Sequence, residues 1–140
     1  MKVTYSWLKE FVALSPLVQL AEQLTLAGLE VESVTPVAPS FSGVVVGEVL
    51  ESGRHPNAEK LSLCQVTTDG ANRLQIVCGA SNVRAGRKVA VATVGALLPK
   101  DVVIRRAKLR GRESNGMLCS ARELDLGDEL EGILELPNSL

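Results

Sequence analysis

The chain has 140 residues, of which 46% are hydrophobic and 22% charged, and its formal net charge is −1. These values are ordinary for a globular domain and exclude an intrinsically disordered chain. No apolar run approaches the length of about 18 residues that a membrane-spanning helix needs. The N-terminus also lacks a signal-peptide pattern, so we expect a cytoplasmic protein with no membrane partner.

The first 38 residues predict two short helices. Ser6 is placed to cap the first helix, and Ser15-Pro16 supplies a cap and a first-turn proline for the second. In the second helix the apolar residues recur at helical spacing, and Gly28 stands where a left-handed residue is needed to end it. The proline-containing run TPVAPSFSG then predicts a boundary near Pro39.

The second domain, residues 39–140, is predicted to be mainly β. Asp69-Gly70 predicts a hairpin turn, and Ser120 with Glu123 three residues later predicts a capped helix that ends before Gly127. The strand candidates, all rich in Val, Ile and Leu, are Val44–Leu50, Leu61–Thr67, Leu74–Val77, Lys88–Val94, Val102–Leu109 and Ile133–Leu136. Short strands with one brief helix predict a five-stranded barrel of the OB type, a fold that binds nucleic acids, behind a small helical or α+β N-terminal segment.

Residues for catalysis or metal binding are scarce. The three cysteines have no C-x-x-C spacing, which supports neither a disulfide framework nor a zinc site. The only histidine, His55, precedes Pro56 and Asn57, so a turn residue with a locally hydrogen-bonded ring is favoured over an acid or base. The acidic run from Asp128 to Glu131 is typical of a solvated loop. These observations leave binding as the expected function.

Positive charge is concentrated between Arg84 and Arg112, where nine basic residues face one acidic residue. The resulting positive potential would attract a polyanion such as a nucleic acid. The alternative is a solvated charged face that only keeps the protein soluble. If side chains alternate along one strand, four of the cations share a face. These four are Arg106, Lys108, Arg110 and Arg112.

The predicted strands contain no aromatic residue, because all four aromatics lie at or before Phe41. Barrels that bind single strands stack bases on aromatic side chains, so a folded RNA recognised by shape and backbone is the expected ligand, if RNA is bound at all. Ser114, Asn115 and the Gly116 amide could add neutral hydrogen bonds to it. Met117 to Cys119 are predicted to lie in the core, with partner contact by Met117 as the alternative.

Three stretches carry a resemblance to known proteins: HPNAEKL (residues 55–61), IVCGASNV (76–83) and LRGRESNGMLCSARELDL (109–126). Together they resemble the tRNA-binding domain shared by several tRNA-associated proteins. The opening MKVTYSWLKEFV and the later LAGLEVE narrow the resemblance, which covers the whole chain, to the N-terminus of the bacterial phenylalanine-tRNA ligase beta subunit family. The RGxxSxGMLCS pattern alone also fits free-standing tRNA-binding proteins.

This resemblance implies an OB barrel inserted into a small domain, of which residues 1–38 are the first part. It also implies a parent enzyme that joins phenylalanine to its tRNA with ATP and magnesium, as a tetramer of two alpha and two beta chains. The aminoacylation site of that enzyme lies on the alpha subunit, so a non-catalytic region without its own cofactor or metal is expected here. The tRNA-binding positions that carry over are Ser114, Gly116, Met117 and Ser120, although Ser120 also has the role of a helix cap.

The resulting hypothesis is a non-catalytic domain that contacts the tRNA backbone. Two alternatives stay open: a structural module for assembly of the synthetase with little RNA affinity, and a free-standing tRNA-binding protein. The candidate tRNA contacts are Arg84, Lys88, Arg105, Arg106, Lys108, Arg110, Arg112, Ser114, Asn115, Gly116, Met117 and Ser120.

Overall fold

The computed structural model describes residues 1–129 and 131–140. The chain divides into two compact units, Met1–Val37 and Ala38–Leu140. Within the described residues, no helix has both the length and the apolar character needed to cross a membrane.

The first unit contains helices α1 (Tyr5–Leu8) and α2 (Leu17–Leu26). The prediction that Ser6 caps α1 is wrong, because the cap is Thr4, whose hydroxyl oxygen accepts a hydrogen bond from the Trp7 N–H at 3.3 Å. The predicted cap at Ser15 is also wrong. Its hydroxyl donates to the Gln23 side chain at 3.1 Å instead, and α2 begins after Pro16 without a side-chain cap.

The end of α2 follows the sequence prediction. Gly28 has a φ of +94°, and its N–H donates to the Thr25 carbonyl at 3.1 Å while the Leu29 N–H donates to the Leu24 carbonyl at 2.9 Å. This pair of bonds is the Schellman arrangement, which satisfies the last carbonyls of a helix. The assignment of residues 1–38 to a discontinuous domain stays a prediction.

The second unit is built from antiparallel strands, which confirms the mainly β prediction. The strands are β1 (Ser42–His55), β2 (Ala58–Thr67), β3 (Leu74–Cys78), β4 (Lys88–Leu98), β5 (Val102–Val103), β6 (Ala107–Leu109), β7 (Arg112–Ser114), β8 (Gly116–Leu118) and β9 (Glu135–Leu136), with a 3₁₀ turn at Pro99–Asp101. The main sheet has the order β3-β2-β1-β4-β5, and β8 and β9 also pair with β4.

The sheet curls into a nearly closed barrel of five strands, β1 to β4 and β8, consistent with an OB-like fold. Strand β1 pairs with β4 through its first half and with β2 through its second half, and both pairings meet at Glu48. Gly47 fits this junction because a Cβ there would lie 2.6 Å from a Val91 methyl and 3.0 Å from the Thr67 carbonyl oxygen. On the other side of the barrel, where β3 and β8 approach each other, the Asn115 N–H donates to the Gln75 carbonyl at 2.8 Å and joins the start of β8 to β3.

Hydrophobic side chains pack on both sides of β4. Val89 and Val91 point into the barrel with Val49, Val66, Ile76 and Leu118. Ala90 and Ala92 point the other way, into a cluster with Ile104, Cys119 and Leu124. Burial raises the pKa of the Cys119 thiol to about 12 and also raises those of Cys64 and Cys78. All three thiols are therefore protonated and unreactive at neutral pH.

The predicted helix after Ser120 is wrong. The predicted capping box does form, because the Ser120 N–H donates to the Glu123 carboxylate at 2.7 Å and the Glu123 N–H donates to the Ser120 hydroxyl at 3.2 Å. However, Asp125 has a φ of +55°, and the Leu126 N–H reaches back to the Ala121 carbonyl at 2.9 Å. A left-handed residue ends a helix, so the segment is limited to a single turn.

The loop between β2 and β3 is organised by Asp69. Its carboxylate accepts hydrogen bonds from the N–H groups of Asn72 and Ala71, at 2.8 and 2.9 Å. These bonds, led by the one from Asn72, lower the pKa of Asp69 to about 2. The predicted hairpin between β2 and β3 is present. Its connection is the loop of residues 68–73, in which Gly70 has a φ of +77°, instead of a tight turn at Asp69-Gly70 alone.

Candidate nucleic-acid interface

The basic run folds into a two-stranded hairpin. Leu109 of β6 lies opposite Arg112 of β7, which leaves Arg110 and Gly111 as the turn. Both turn residues have positive φ, +52° and +87°, as a two-residue hairpin of type I′ requires. We call residues 105–114 the basic hairpin. Its five cations, all exposed, are Arg105, Arg106, Lys108, Arg110 and Arg112.

The predicted single strand over Val102–Leu109 is therefore wrong, and so is the shared face derived from it. Residues 104–106 are not in a strand, and the chain reverses direction at Arg110. Directly opposed residues of antiparallel strands point to the same side, and Lys108 is opposite Glu113 whereas Arg112 is opposite Leu109. Because side chains alternate along a strand, Lys108 and Arg112 project to opposite sides of the basic hairpin.

The turn between β1 and β2 holds the tip of the basic hairpin. His55 is only 4% exposed, and its Nδ1 accepts the Asn57 N–H at 3.0 Å. The other ring nitrogen, Nε2, therefore carries the proton of the neutral ring and donates it to the Leu109 carbonyl at 3.0 Å. The Asn57 side-chain amide donates to the Arg110 carbonyl at 3.1 Å. The predicted local hydrogen bond of the His55 ring is present at Nδ1. The second ring nitrogen, Nε2, binds the distant basic hairpin instead.

Removing the Asn57 side-chain amide is expected to loosen the basic hairpin without unfolding the barrel. In Asn57→Ala the Arg110 carbonyl loses this donor, which costs about 1 kcal/mol of local stability. The amide hydrogens of residues 107–114 should then exchange about fivefold faster, as measured by hydrogen exchange. The matched control is Asn72→Ala, which removes another turn asparagine, one that donates to Asp69. Equal acceleration of the hairpin amides in both variants would contradict the role given to Asn57.

Ser114 and Gly116 lie where the barrel wall closes. Ser114 is 3% exposed; its hydroxyl accepts the Val77 N–H at 3.1 Å and donates to the Gly116 carbonyl at 3.0 Å. Gly116 has a φ of +146°, and a Cβ there would lie 2.7 Å from the Ala92 carbonyl oxygen. Contact of these two residues with tRNA stays a prediction, and their burial favours a supporting role.

The remaining motif residues are partly buried. Leu118 and Cys119 are buried, which confirms their predicted core position. Met117 is half-buried against the outer cluster beside β4, so its contact with a partner stays a prediction. The Ser120 hydroxyl donates to the Glu123 carboxylate at 3.0 Å, as part of its cap. Asn115 is anchored by its main-chain bond to Gln75, and its side-chain oxygen is buried.

Eight of the nine basic residues between Arg84 and Arg112 form two groups, and the ninth, Lys100, lies in the 3₁₀ turn. In the first, Arg84 and Arg87 lie 3.8 and 3.6 Å from the two carboxylate oxygens of Glu135, and the Lys88 ammonium bonds to the main-chain oxygen of Leu140. The second group is the five cations of the basic hairpin, which form no ion pair within residues 1–129 and 131–140. Glu135 thus partly neutralises Arg84 and Arg87, and a main-chain oxygen engages Lys88, whereas the second group is open to an outside anion.

Comparison with known families identifies the domain. A family model described as "Putative tRNA binding domain" matches residues 44–140, most of the chain. The chain belongs to this tRNA-binding domain family. Its match covers the barrel and the whole basic hairpin.

Several curated relatives contain a closely similar segment. The chain is 57% identical to the phenylalanine–tRNA ligase beta subunit of Pectobacterium atrosepticum, over 98% of this chain and 17% of the relative. It is 54% identical to that of Pseudoalteromonas translucida, over 99% and 18%. The chain thus spans about a sixth of the length of these relatives.

One solved structure, the crystal structure of the C-terminal domain of Plasmodium vivax p43, is 25% identical, with a TM-score of 0.43, over 54% of this chain and 43% of that chain. A TM-score this low supports no conclusion about the fold.

The structure of this tRNA-binding domain adds residues that the sequence prediction of the site omitted. Lys60 lines a shallow groove beside the hairpin tip with Asn57 and Arg110. Gln75 donates from its side chain to the Glu113 carbonyl at 2.9 Å and steadies β7. The motif HPNAEKL contains two of these residues, Asn57 and Lys60, but nothing local in the sequence indicates that it reaches a hairpin about 50 residues away.

Proposed function

We propose that the chain binds a folded tRNA through the phosphates, with the basic hairpin as the principal contact, as part of a phenylalanine-tRNA ligase beta subunit. The observation that carries the proposal is the group of five exposed hairpin cations without ion pairs in the described part of the chain. Such cations release counterions from the nucleic acid when they bind phosphates.

The position of the cations suits a backbone contact. They project from both faces and from the turn, so that together they can follow the curved backbone of a folded RNA. The barrel strands carry no aromatic residue that would stack unpaired bases. In this proposal Ser114, Gly116 and His55 support the hairpin, and Arg84 and Lys88 contribute less because of their bonds to the C-terminal segment.

The proposed role is accessory to aminoacylation in the cytoplasm. No group of three or more metal-ligating side chains occurs among the residues that the structure describes. ATP and magnesium would act elsewhere in a parent enzyme of two alpha and two beta chains. The domain would add affinity and orientation for the phenylalanine tRNA.

The proposal is tested by filter binding of the 140-residue chain to tRNA at about 50 and about 200 mM salt. Four to five neutralised phosphates predict saturable binding that weakens by about a hundredfold between these salt concentrations. An unstructured RNA of equal phosphate number should bind more weakly, because the contact follows folded shape.

Absence of saturable binding at the lower salt concentration would favour the structural module instead. The lack of aromatic residues in the strands supports that second candidate. The open hairpin cations argue against it, because an assembly role does not require them.

A further inference from the structure

Two arginines outside the basic hairpin form a second pair of cations. Arg84 and Arg87, which we call the loop arginines, lie in the loop that leads into β4. The main chain of this loop is anchored at several points. Val83 is buried in the core. The Gly86 N–H donates to the Val49 carbonyl at 2.7 Å, and the Val49 N–H donates to the Arg87 carbonyl at 2.9 Å. The fold therefore fixes the points from which both side chains project.

A single carboxylate, that of Glu135, bridges the loop arginines. Its Oε1 lies 3.8 Å from Arg84 Nη2, and its Oε2 lies 3.6 Å from Arg87 Nε. The Glu135 side chain is less exposed than that of either arginine. A phosphate that approached both guanidinium groups would have to displace this carboxylate or accept its repulsion, because like charges placed side by side are strongly unfavourable.

The position of Glu135 is fixed by Asn82. The Asn82 side chain binds the main chain of Ile133 twice, since Oδ1 accepts the N–H at 2.8 Å and Nδ2 donates to the carbonyl at 3.0 Å. The same Nδ2 donates to Glu135 Oε1 at 3.4 Å, and Glu135 pairs with Val89 between β9 and β4. Most exposed ion pairs join two mobile side chains and contribute little. Here the acidic partner is held in place by the fold.

We propose that Glu135 is a specificity-determining residue, which keeps RNA phosphates off the loop arginines and so confines phosphate binding to the basic hairpin. The inference rests on the proposed RNA binding and adds a reason for a preference for folded tRNA. A flexible RNA strand can adapt to follow any exposed group of cations, whereas a folded RNA presents its phosphates at fixed positions. Occupation of the loop arginines by Glu135 therefore weakens the binding of unstructured RNA more than the binding of tRNA.

The substitution Glu135→Gln removes the charge and keeps an oxygen that can accept the bond from Asn82. Poly(U), an unstructured RNA, should bind this variant about tenfold more tightly at about 50 mM salt, because two cations become available to phosphates. The slope of log K against log salt should steepen by roughly 1.4 units, about 0.7 for each additional phosphate contact of a single strand. The affinity for tRNA should rise by less than about threefold, so the preference for tRNA over poly(U) decreases.

Two controls separate release of the loop arginines from a change in net charge. Glu129→Gln removes an exposed carboxylate that forms no ion pair within the described residues. Because a solvated charge is screened by salt, this control should leave poly(U) affinity within about twofold of the wild type. Adding Arg84→Gln and Arg87→Gln to Glu135→Gln should return poly(U) affinity to the wild-type value. The bonds of Asn82 to the Ile133 main chain are kept in every variant, so all of them should fold.

Three results would overturn the masking of the loop arginines: unchanged poly(U) binding in Glu135→Gln, an equal gain in Glu129→Gln, or a gain that persists in the triple variant. An equal gain for tRNA and poly(U) would overturn the role of Glu135 in specificity.

The same titrations distinguish failure of this inference from failure of the proposed function. If the wild-type chain binds tRNA with steep salt dependence and Glu135→Gln changes nothing, the role of Glu135 is wrong and the tRNA contact stands. If the wild-type chain does not bind tRNA at the lower salt concentration, but Glu135→Gln gains a poly(U) affinity that the triple variant loses, the masking by Glu135 stands and the tRNA role is wrong.

Discussion

Replacing Arg106, Lys108, Arg110 and Arg112 together with glutamine is expected to weaken tRNA binding by about a hundredfold or more at about 0.1 M salt. The slope of log K against log salt should flatten by roughly three units, because four cations no longer release counterions. All four side chains are exposed and lie outside the core. Glutamine keeps most of their length and removes only the charge. The binding isotherm over a salt series measures both quantities.

The chain offers a charge-matched control. Replacing Arg73, Arg84, Arg87 and Lys88 with glutamine removes four positive charges as well, but these cations already contact Glu51, Glu135 and the Leu140 main chain. We expect the fold-loss of tRNA affinity in this variant to be less than a tenth of the fold-loss in the hairpin variant. An equal loss would show that net charge, and not the basic hairpin, governs binding. The same comparison decides the predicted contacts of Arg84 and Lys88.

Gly116→Ala is expected to destabilise the barrel strongly. The new methyl group would lie 2.7 Å from the Ala92 carbonyl oxygen, a backbone atom of β4 that cannot move without breaking the pairing of Thr93 with residue 116. The φ of +146° adds strain for any residue with a side chain. Together the overpacking and the strain cost about 2 to 4 kcal/mol of the free energy of unfolding, measurable by urea denaturation.

The control for this substitution is Gly95→Ala. Gly95 also has a positive φ, +92°, but a Cβ there would meet nothing within 4 Å. It therefore reports backbone strain alone, about 1 to 2 kcal/mol. Equal losses in the two variants would mean that the close approach to Ala92 does not matter, and that the barrel can open where β8 joins β4.

Patterns of hydrophobic residues predicted four of the five barrel strands, all except β8, and left-handed residues account for the main errors elsewhere. Each of β1 to β4 covers a predicted segment and extends beyond it, by a single residue in β3. The four cations predicted to share one strand face are divided by the turn at Arg110, and the segment predicted to be a helix after Ser120 is limited to a single turn by Asp125. Both are non-glycine residues with positive φ. Such conformations are fixed by contacts from distant segments, such as the Asn57 bond to Arg110, and no local pattern indicates them.

The candidate site, like the fold, could be predicted only in part from the sequence. The sequence predicted the cluster of cations because charge is visible residue by residue. It could not separate Arg84, which Glu135 partly neutralises, from Arg106, which no described acid pairs with, since that difference depends on pairing across 51 residues. It also could not reveal that the motif serine at residue 114 bonds to Val77 and faces inward. Asn115 was predicted as a tRNA contact, but the burial of its side-chain oxygen without a hydrogen-bond partner is visible only in three dimensions.

The bonds from His55 and Asn57 reach the basic hairpin only at main-chain carbonyls, those of Leu109 and Arg110. Attachment through the peptide backbone is independent of which side chains the loop displays. The cations of the basic hairpin can therefore be replaced one by one, by selection or by design, while its main-chain bonds to His55 and Asn57 persist. A library randomised at residues 106, 108 and 112, which leaves the turn residue Arg110 unchanged, should yield folded proteins with altered ligand preference.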